Sequence, residues 1–422
     1  MKLGYKIKAQ AIQLALLISV LVALLLGSFL MLTHVQSFFK IKSQDTITMI
    51  RENNQRIFST LNIPSKSDTL YSESKDTAIK QHFAYHGAWL KQYTEHSQGS
   101  KKITKALLIG SESNANAPNL YLADSFSPLV VVGFTNLSGN LYVPEQGIKP
   151  GTISGTFYQN SLVSTGKTIK SKRELPELDS HWINYLKKVT SGHPIQGAEE
   201  TPLSRSVTNS FLKLPKLIFN TEDIHLTNQN LVGNIIIQSA QKIVVYPEAN
   251  LKDVLLIAPI ITVLDNSEGS FQSIATKHLS VGKNCNLQFP SSLVLYDKYP
   301  VTNSSKQFNR NLVTTALVVK KNTRIEGSIV YLQAVPQPPS RIYVNMEFND
   351  KVHITGDVYC LGNIGFKGTV NGSVYTNQFV TKHLGSSYLN HILNGNIQTN
   401  PVPFYSGLPL ANTYKSIAKW LY

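Results

Sequence analysis

No Lys, Arg, Asp or Glu occurs between Ala9 and Phe39. The centre of this run, Leu14 to Leu32, reads LALLISVLVALLLGSFLML and is broken only by Ser19, Gly27 and Ser28. A helix needs ~20 predominantly apolar residues to cross a bilayer, so the stretch is long enough. A secretory signal is the competing reading. It would need a shorter apolar core and a small-residue cleavage site. The run ends instead in THVQSFF, with no A-x-A pattern, and a retained anchor is expected. Lys2, Lys6 and Lys8 precede the span and Lys40 and Lys42 follow it. The positive-inside bias is slight, but a short N-terminus before a long remainder favours a cytoplasmic N-terminus.

Apolar residues continue at helical spacing beyond the span, at Ile47, Ile50, Ile57 and Leu61, with Pro64 as a stop. One helix of roughly fifty residues is expected, apolar all round in its first half and amphipathic in its second. The amphipathic face must cover either the rest of this chain or a neighbouring subunit.

Composition narrows the options for the chain beyond the helix. Charged residues make up 15% of the 422-residue chain, against ~25% in typical soluble domains. Two Cys cannot build a disulfide scaffold, and no cofactor-type motif is visible. From about residue 100 the chain reads as short β-type runs punctuated by Gly and Asn. A unit of apolar, any, Gly, any, apolar recurs: Leu137–Leu141, Ile153–Phe157, Ile325–Ile329, Ile354–Val358, Phe366–Val370, Val370–Val374 and Leu393–Ile397, with a shifted form at Val232–Ile236. Alternation puts the flanking apolar residues on one side of a strand, and Gly allows a bend. Asn284, Asn286, Asn322, Asn363, Asn371 and Asn394 suit corners, since Asn tolerates left-handed backbone. An antiparallel sandwich or barrel is the rival; its Asn-Gly hairpin signals, Asn371-Gly372 and Asn394-Gly395, fall inside the unit.

The expected fold is mainly β: an N-terminal transmembrane and amphipathic helix, then a right-handed parallel β-helix (solenoid) with a helical insertion. The expected segments are 1–8 cytoplasmic, 9–39 transmembrane, 40–63 amphipathic extension and 64–105 membrane-proximal helix and loop, including a short helix over 82–97. Then come 106–173, a first β-solenoid segment; 174–222, an insertion with a helix over 174–190; 223–400, the main β-solenoid; and 401–422, a docking tail carrying Trp420 and Tyr422.

Lys6-Ile-Lys-Ala-Gln10 running into the apolar helix resembles the N-terminus of type IV pilins and pseudopilins. In that family the long helix packs subunits side by side. Two positions depart from the pattern: Lys8 stands where a small residue precedes the processing site, and Gln13 stands where a Glu is usual. The stretches LYLADSFSPLVVVGFTNLSGNLYVPEQGIKPGTISG and NLVGNIIIQSAQKIVVYPEANLKDVLLIAPIITVLDN are similar to single-pass membrane proteins of Bacteroidota-type bacteria, a resemblance that implies an architecture and no activity. The repeat style resembles that of the bactofilins.

Chemistry is sparse. His82 and His86 stand at i, i+4, a spacing open to metal ligation, with Glu95 and His96 the nearest further donors. Cys285 and Cys360 lie in apolar β-type surroundings and read as buried thiols. Asp265, Asp297, Asp350 and Asp357 are scattered, and a glycan enzyme would have to gather them in one groove. The net charge of +15 is densest at Lys167–Arg173 and Lys320–Arg324, which suits either a solvated surface or an anionic glycan, membrane or DNA partner, although no specific nucleic-acid motif is present. We expect no catalytic, cofactor-binding or metal-binding residue, and no cofactor. The expected protein is a non-enzymatic envelope scaffold of the bacterial inner membrane. It is single-pass with a periplasmic bulk, and its partners are lipid and pseudopilin-like proteins met through residues 14–61. The alternative is a tethered glycan-binding or glycan-modifying protein.

Overall fold

The computed structural model describes residues 9–61, 69–74, 77–113, 116–298, 315–335, 343–399, 402 and 405–421. Residues 1–8, Pro64, Pro401 and Tyr422, on which several expectations rest, lie outside the described residues. The protein is mainly β with one long N-terminal helix, and divides into two units.

The first unit holds Met1–Thr60, Ser72–Ile79 and Glu95–Ile103. Its helix, α1, runs unbroken over Ala9–Thr60 for 52 residues. Ser19, Ser28 and Thr33 stay compatible with the apolar run because their hydroxyls donate to the carbonyls of Leu16, Leu25 and Leu30. The side chains from Gln10 to Thr48 are exposed, and burial starts at Met49. The expected apolar face needs correcting here. The buried stripe is Met49, Asn53, Ile57 and Thr60, with Leu61 following, whereas Ile47 and Ile50 are 50% and 38% exposed. Counting apolar residues alone missed this face because two of its positions are polar.

The second unit carries the β body. The expected helix over 82–97 is instead a hairpin, Thr77–His86 and Trp89–Gln98, continued by Lys101–Glu112. Gly87 and Gly99, at φ +66° and +55°, open the two tight turns. These strands belong to a six-stranded sheet with Thr69–Ser74 at one edge. The chain's end returns to it: Ser406–Gly407 and Lys415–Leu421 pair antiparallel with Lys101–Glu112. The tail therefore docks as strand. Everything between Glu112 and Ser406 is an excursion between two hydrogen-bonded neighbours of one sheet.

That excursion forms a parallel sheet whose path closes on itself. Successive stretches lie in register: Ser206 beside Asn230, Asn230 beside Asn250, Leu251 beside Gly269, Leu287 beside Ile325, Ile325 beside Ile354 and Ile354 beside Val370. Inward residues form one core. Ile325, Ile329, Ile354, Val358, Val370 and Val374 are all fully buried in it, as the repeat unit implies. Gly at the centre of the unit has a specific cause. Gly327, Gly356 and Gly372 are register partners with φ of +140°, +138° and +154°. A Cβ on Gly356 would lie 2.0 Å from the Gly327 carbonyl oxygen, and one on Gly372 would lie 1.9 Å from that of Gly356. Each corner thus lacks room for a side chain as well as requiring a backbone that L-residues avoid.

A second corner uses asparagine. Asn266, Asn284 and Asn322 take φ of +63°, +55° and +60°, and their amides form a ladder, Asn322 to Asn284 at 3.2 Å and Asn284 to Asn266 at 3.1 Å. Asn394 has the same conformation, whereas Asn286, Asn363 and Asn371 lie on strands. One repeat unit is not a corner: Ile153 and Thr156 pair as a hairpin around Ser154-Gly155, and Phe157 is exposed.

Spatial order differs from chain order. The parallel ladder already begins at Glu199–Glu200 and Ser206–Asn209, inside the expected insertion. Residues 106–112 belong to the antiparallel sheet. The early strands Leu120–Leu122 and Asn136–Val143 do not precede the later ones but follow them, with Leu120 beside Val374 and Asn136 beside Asn396. Thr165–Lys170 then pairs on Asn136–Val143. From there the chain returns along the outside. Lys172 N donates to Tyr121 Oη, Pro176 O accepts from Tyr359 Oη, Lys298 donates to Thr190 O, and His193 O accepts from Gln238 Nε2. Only Ser180–Val189 of this strap is helical, capped by Asp179, with Trp182, Leu186 and Val189 buried on the outer sheet face. This face is apolar because the strap covers it, which explains unbroken apolar runs such as Ile235–Ile237 and Leu293–Leu295.

We expect Gly356→Ala to lower stability by more than the ~1–3 kcal/mol of backbone strain alone, because the new Cβ has nowhere to go. Gly147→Ala, with φ +72° but open space around it, should cost only the strain. Thermal unfolding of both variants checks this; equal losses would contradict the stacked corner. Ile354→Asp should unfold well before the parent, since an unpaired carboxylate in this core costs several kcal/mol.

Candidate membrane and assembly surface

The helix α1 is long and apolar enough to cross a membrane, with none of its most apolar window buried. Beyond that window, the first unit holds the helix by polar contacts on one side. Lys101 Nζ lies 3.0 Å from Asp45 Oδ2, His96 Nδ1 lies 3.1 Å from the Met49 carbonyl oxygen, and His96 Nε2 lies 3.7 Å from Glu52 Oε2. His96 itself is fully buried. The opposite side keeps Ile47 and Phe58 exposed, the last at 58%, whereas Ile50, two turns before the buried Ile57 on the same side, is 38% exposed. The expectation that this helix covers its own domain or a neighbour thus resolves into two faces, one already occupied and one exposed.

The other candidate residues do not converge. His82 and His86 lie on a strand; His82 is exposed, and His86 is buried with Nε2 3.1 Å from the Asp253 carbonyl oxygen. Burial, with Lys91 nearby, pushes His86 down to about 3, so it stays neutral. Burial likewise pushes Lys91 down to about 8. Among the described residues no group of three or more His, Cys, Asp or Glu could hold a metal. Cys285 and Cys360 are free and buried, as expected. Burial raises the Cys360 thiol, which makes it inert at neutral pH.

The four carboxylates are engaged separately. Asp265 accepts from Lys283 N at 2.8 Å, Asp350 bridges Lys321 at 3.2 Å, and Asp297 accepts from Tyr331 Oη at 2.9 Å. Asp357 is buried and accepts from Leu408 N at 3.0 Å, tying the returning tail to the parallel body. Two shallow surface dimples, without room for more than a water molecule, are lined by other acids, Asp253 and Asp179 respectively. Asp253 is already paired, with Lys419 Nζ at 2.6 Å from its Oδ1. The basic run Lys320–Arg324 lies on the asparagine-bearing corner, and Lys167–Arg173 lies at the last strand.

No family profile and no curated protein matches the sequence. Among solved structures the chain is similar to the competence-associated pilin ComZ from Thermus thermophilus, at 10% identity over 85% of this chain and 89% of that one, with a TM-score of 0.21. That score is too low to transfer fold or function.

Burial pushes Asp357 up from 3.8 to about 6. A raised folded-state value means that its contribution to stability is complete below about pH 4 and is lost as pH rises through about 6. The stability difference between the parent and Asp357→Asn should therefore change by roughly 2 kcal/mol between pH 4 and pH 8. Denaturant unfolding at both pH values checks this, and a difference independent of pH would contradict it.

Proposed function

We propose that the chain is a pilin-like, membrane-anchored structural subunit of a heteromeric envelope assembly, present in few copies and without enzymatic activity. The observation that carries this reading is the two-faced helix. One face is committed to Asp45, Met49 and Glu52 contacts within its own unit, and the other leaves Ile47 and Phe58 exposed directly above a span long enough to cross a bilayer. Apolar side chains on a juxtamembrane helix face are stable in water only at a cost, and a second helix relieves that cost. Gln13 in place of an acidic residue suits a rare or terminal position better than a repeating one.

The finer fold reading supports the same role. We read the in-register parallel ladder, with its glycine and asparagine corners, as a right-handed parallel β-helix. Such a body is rigid and extended, which fits presentation or scaffolding. The anchor reading implies a bacterial inner-membrane protein with a cytoplasmic N-terminus and a periplasmic bulk. Its partners would be bilayer lipid and other membrane proteins met through residues 14–61.

Photo-cross-linkers at Ile47, Ile50 and Phe58 should capture a membrane protein other than this chain, and one at the buried Ile57 should not. Capture only of this chain, or of nothing at all three positions, would remove the heteromeric reading. A reporter fused after Ser43 should lie outside the cytoplasm, and the chain should stay in membranes after a carbonate wash.

A further inference from the structure

Outside the N-terminal helix, the described exposed phenylalanines are Phe126, Phe134 and Phe157, at 63%, 68% and 62% exposure. All three lie at one end of the parallel body, where the early strands stack beyond Thr369–His383. Leu162 and Leu384 are exposed on the same terminal elements, at 63% and 82%. Hydrogen bonds tie these elements together. Asn390 Nδ2 donates to Ser125 Oγ and Ser127 Oγ at 2.8 Å each, Asn394 Oδ1 accepts from Phe134 N at 2.9 Å, and Gly133 N donates to Phe157 O at 3.2 Å.

Two of these residues are held in backbone that they disfavour. Phe126 has φ +59° and Leu384 has φ +47°. Asn, Asp or Gly would sit there more comfortably. The Phe126 turn is fixed by Asp124 Oδ1, which accepts from Phe126 N at 2.9 Å. The Leu384 turn crowns a hairpin in which Thr381 pairs with Tyr388. A bulky apolar side chain kept both strained and exposed does nothing for folding.

The surroundings are cationic. Over residues 116–174 and 367–399 the charges are Lys149, Lys167, Lys170, Lys172, Arg173, Lys367 and Lys382 against Asp124, Glu145 and Glu174. Lys170 is paired with Glu145. Arg173 stacks over the Phe126 ring at 4.4 Å.

We propose that this end of the body is a membrane-contacting tip that inserts Phe126 and Leu384 into an anionic lipid surface. Leucine has no ring face for a sugar or a base and no hydrogen-bonding group, but it enters acyl chains readily. Lysines around apolar knobs meet anionic headgroups. Charge complementarity selects a lipid surface over an apolar protein partner. The tip does not depend on the pilin-like reading, because it uses no residue of the helix.

The test uses the full chain, held by its helix in phosphatidylcholine nanodiscs and mixed with separate fluorescent vesicles. Vesicles with 30% phosphatidylglycerol should co-sediment with the loaded discs. Pure phosphatidylcholine vesicles and empty discs should give at least tenfold less. The double variant Phe126→Gly, Leu384→Gly should lose vesicle capture at least tenfold while its melting temperature holds or rises, since glycine relieves both strained positions. Failure of the parent to bind anionic vesicles, the outcome expected of a protein-docking patch, would overturn the proposal. So would undiminished binding by the folded double variant.

Discussion

The pairing of Val374 with Leu120 and of Asn396 with Asn136 is the contact on which the rest of the body depends. A parallel sheet that stopped at Thr369–His383 would offer a row of unpaired backbone groups to any other chain. The early strands close that row. Because the early strands sit at the far end, the chain must travel back before it can start the ladder at Glu199. The strap from Ser171 to Ala198 makes that journey. Its presence lets the outer sheet face be apolar, including the tyrosine row Tyr142, Tyr121, Tyr375 and Tyr359, whose rings succeed one another at 5.5, 6.4 and 5.9 Å.

The same economy of edges governs the join to the antiparallel sheet. The excursion leaves after Glu112 and returns at Ser406, which pairs with Glu112 itself. Tyr405 Oη donates to Gly327 O and Asp357 accepts from Leu408 N, so the point of return is fastened to the parallel body on the glycine corner. The corner is therefore used twice, once for close stacking and once for docking.

Much of this was legible in the sequence. The uncharged run pointed to the helix, and the apolar-x-Gly-x-apolar unit pointed to the inward residues Ile325 to Val374. The features that stayed hidden have physical causes. Strand order is not encoded locally, so nothing near Asn136 announces Asn396 as its neighbour. The strands over 82–97 escaped because the buried positions Gln92, Thr94 and His96 are polar, so the alternation of burial is not an alternation of hydrophobicity. The buried helix stripe escaped because Asn53 and Thr60 are polar. The strained Phe126 and Leu384 could not be seen at all, since a positive φ at such residues is imposed by the fold rather than by residue type.

The order of the stack is the central claim, and cysteine pairs read it directly. Register partners in adjacent strands sit within disulfide reach, ~5 Å between Cα atoms. The natural thiols at Cys285 and Cys360 are buried and free. Asn136→Cys combined with Asn396→Cys should cross-link under mild oxidation in the folded protein, while Asn136→Cys combined with Ser206→Cys should not. A bond between positions 136 and 206, with none between 136 and 396, would contradict this account.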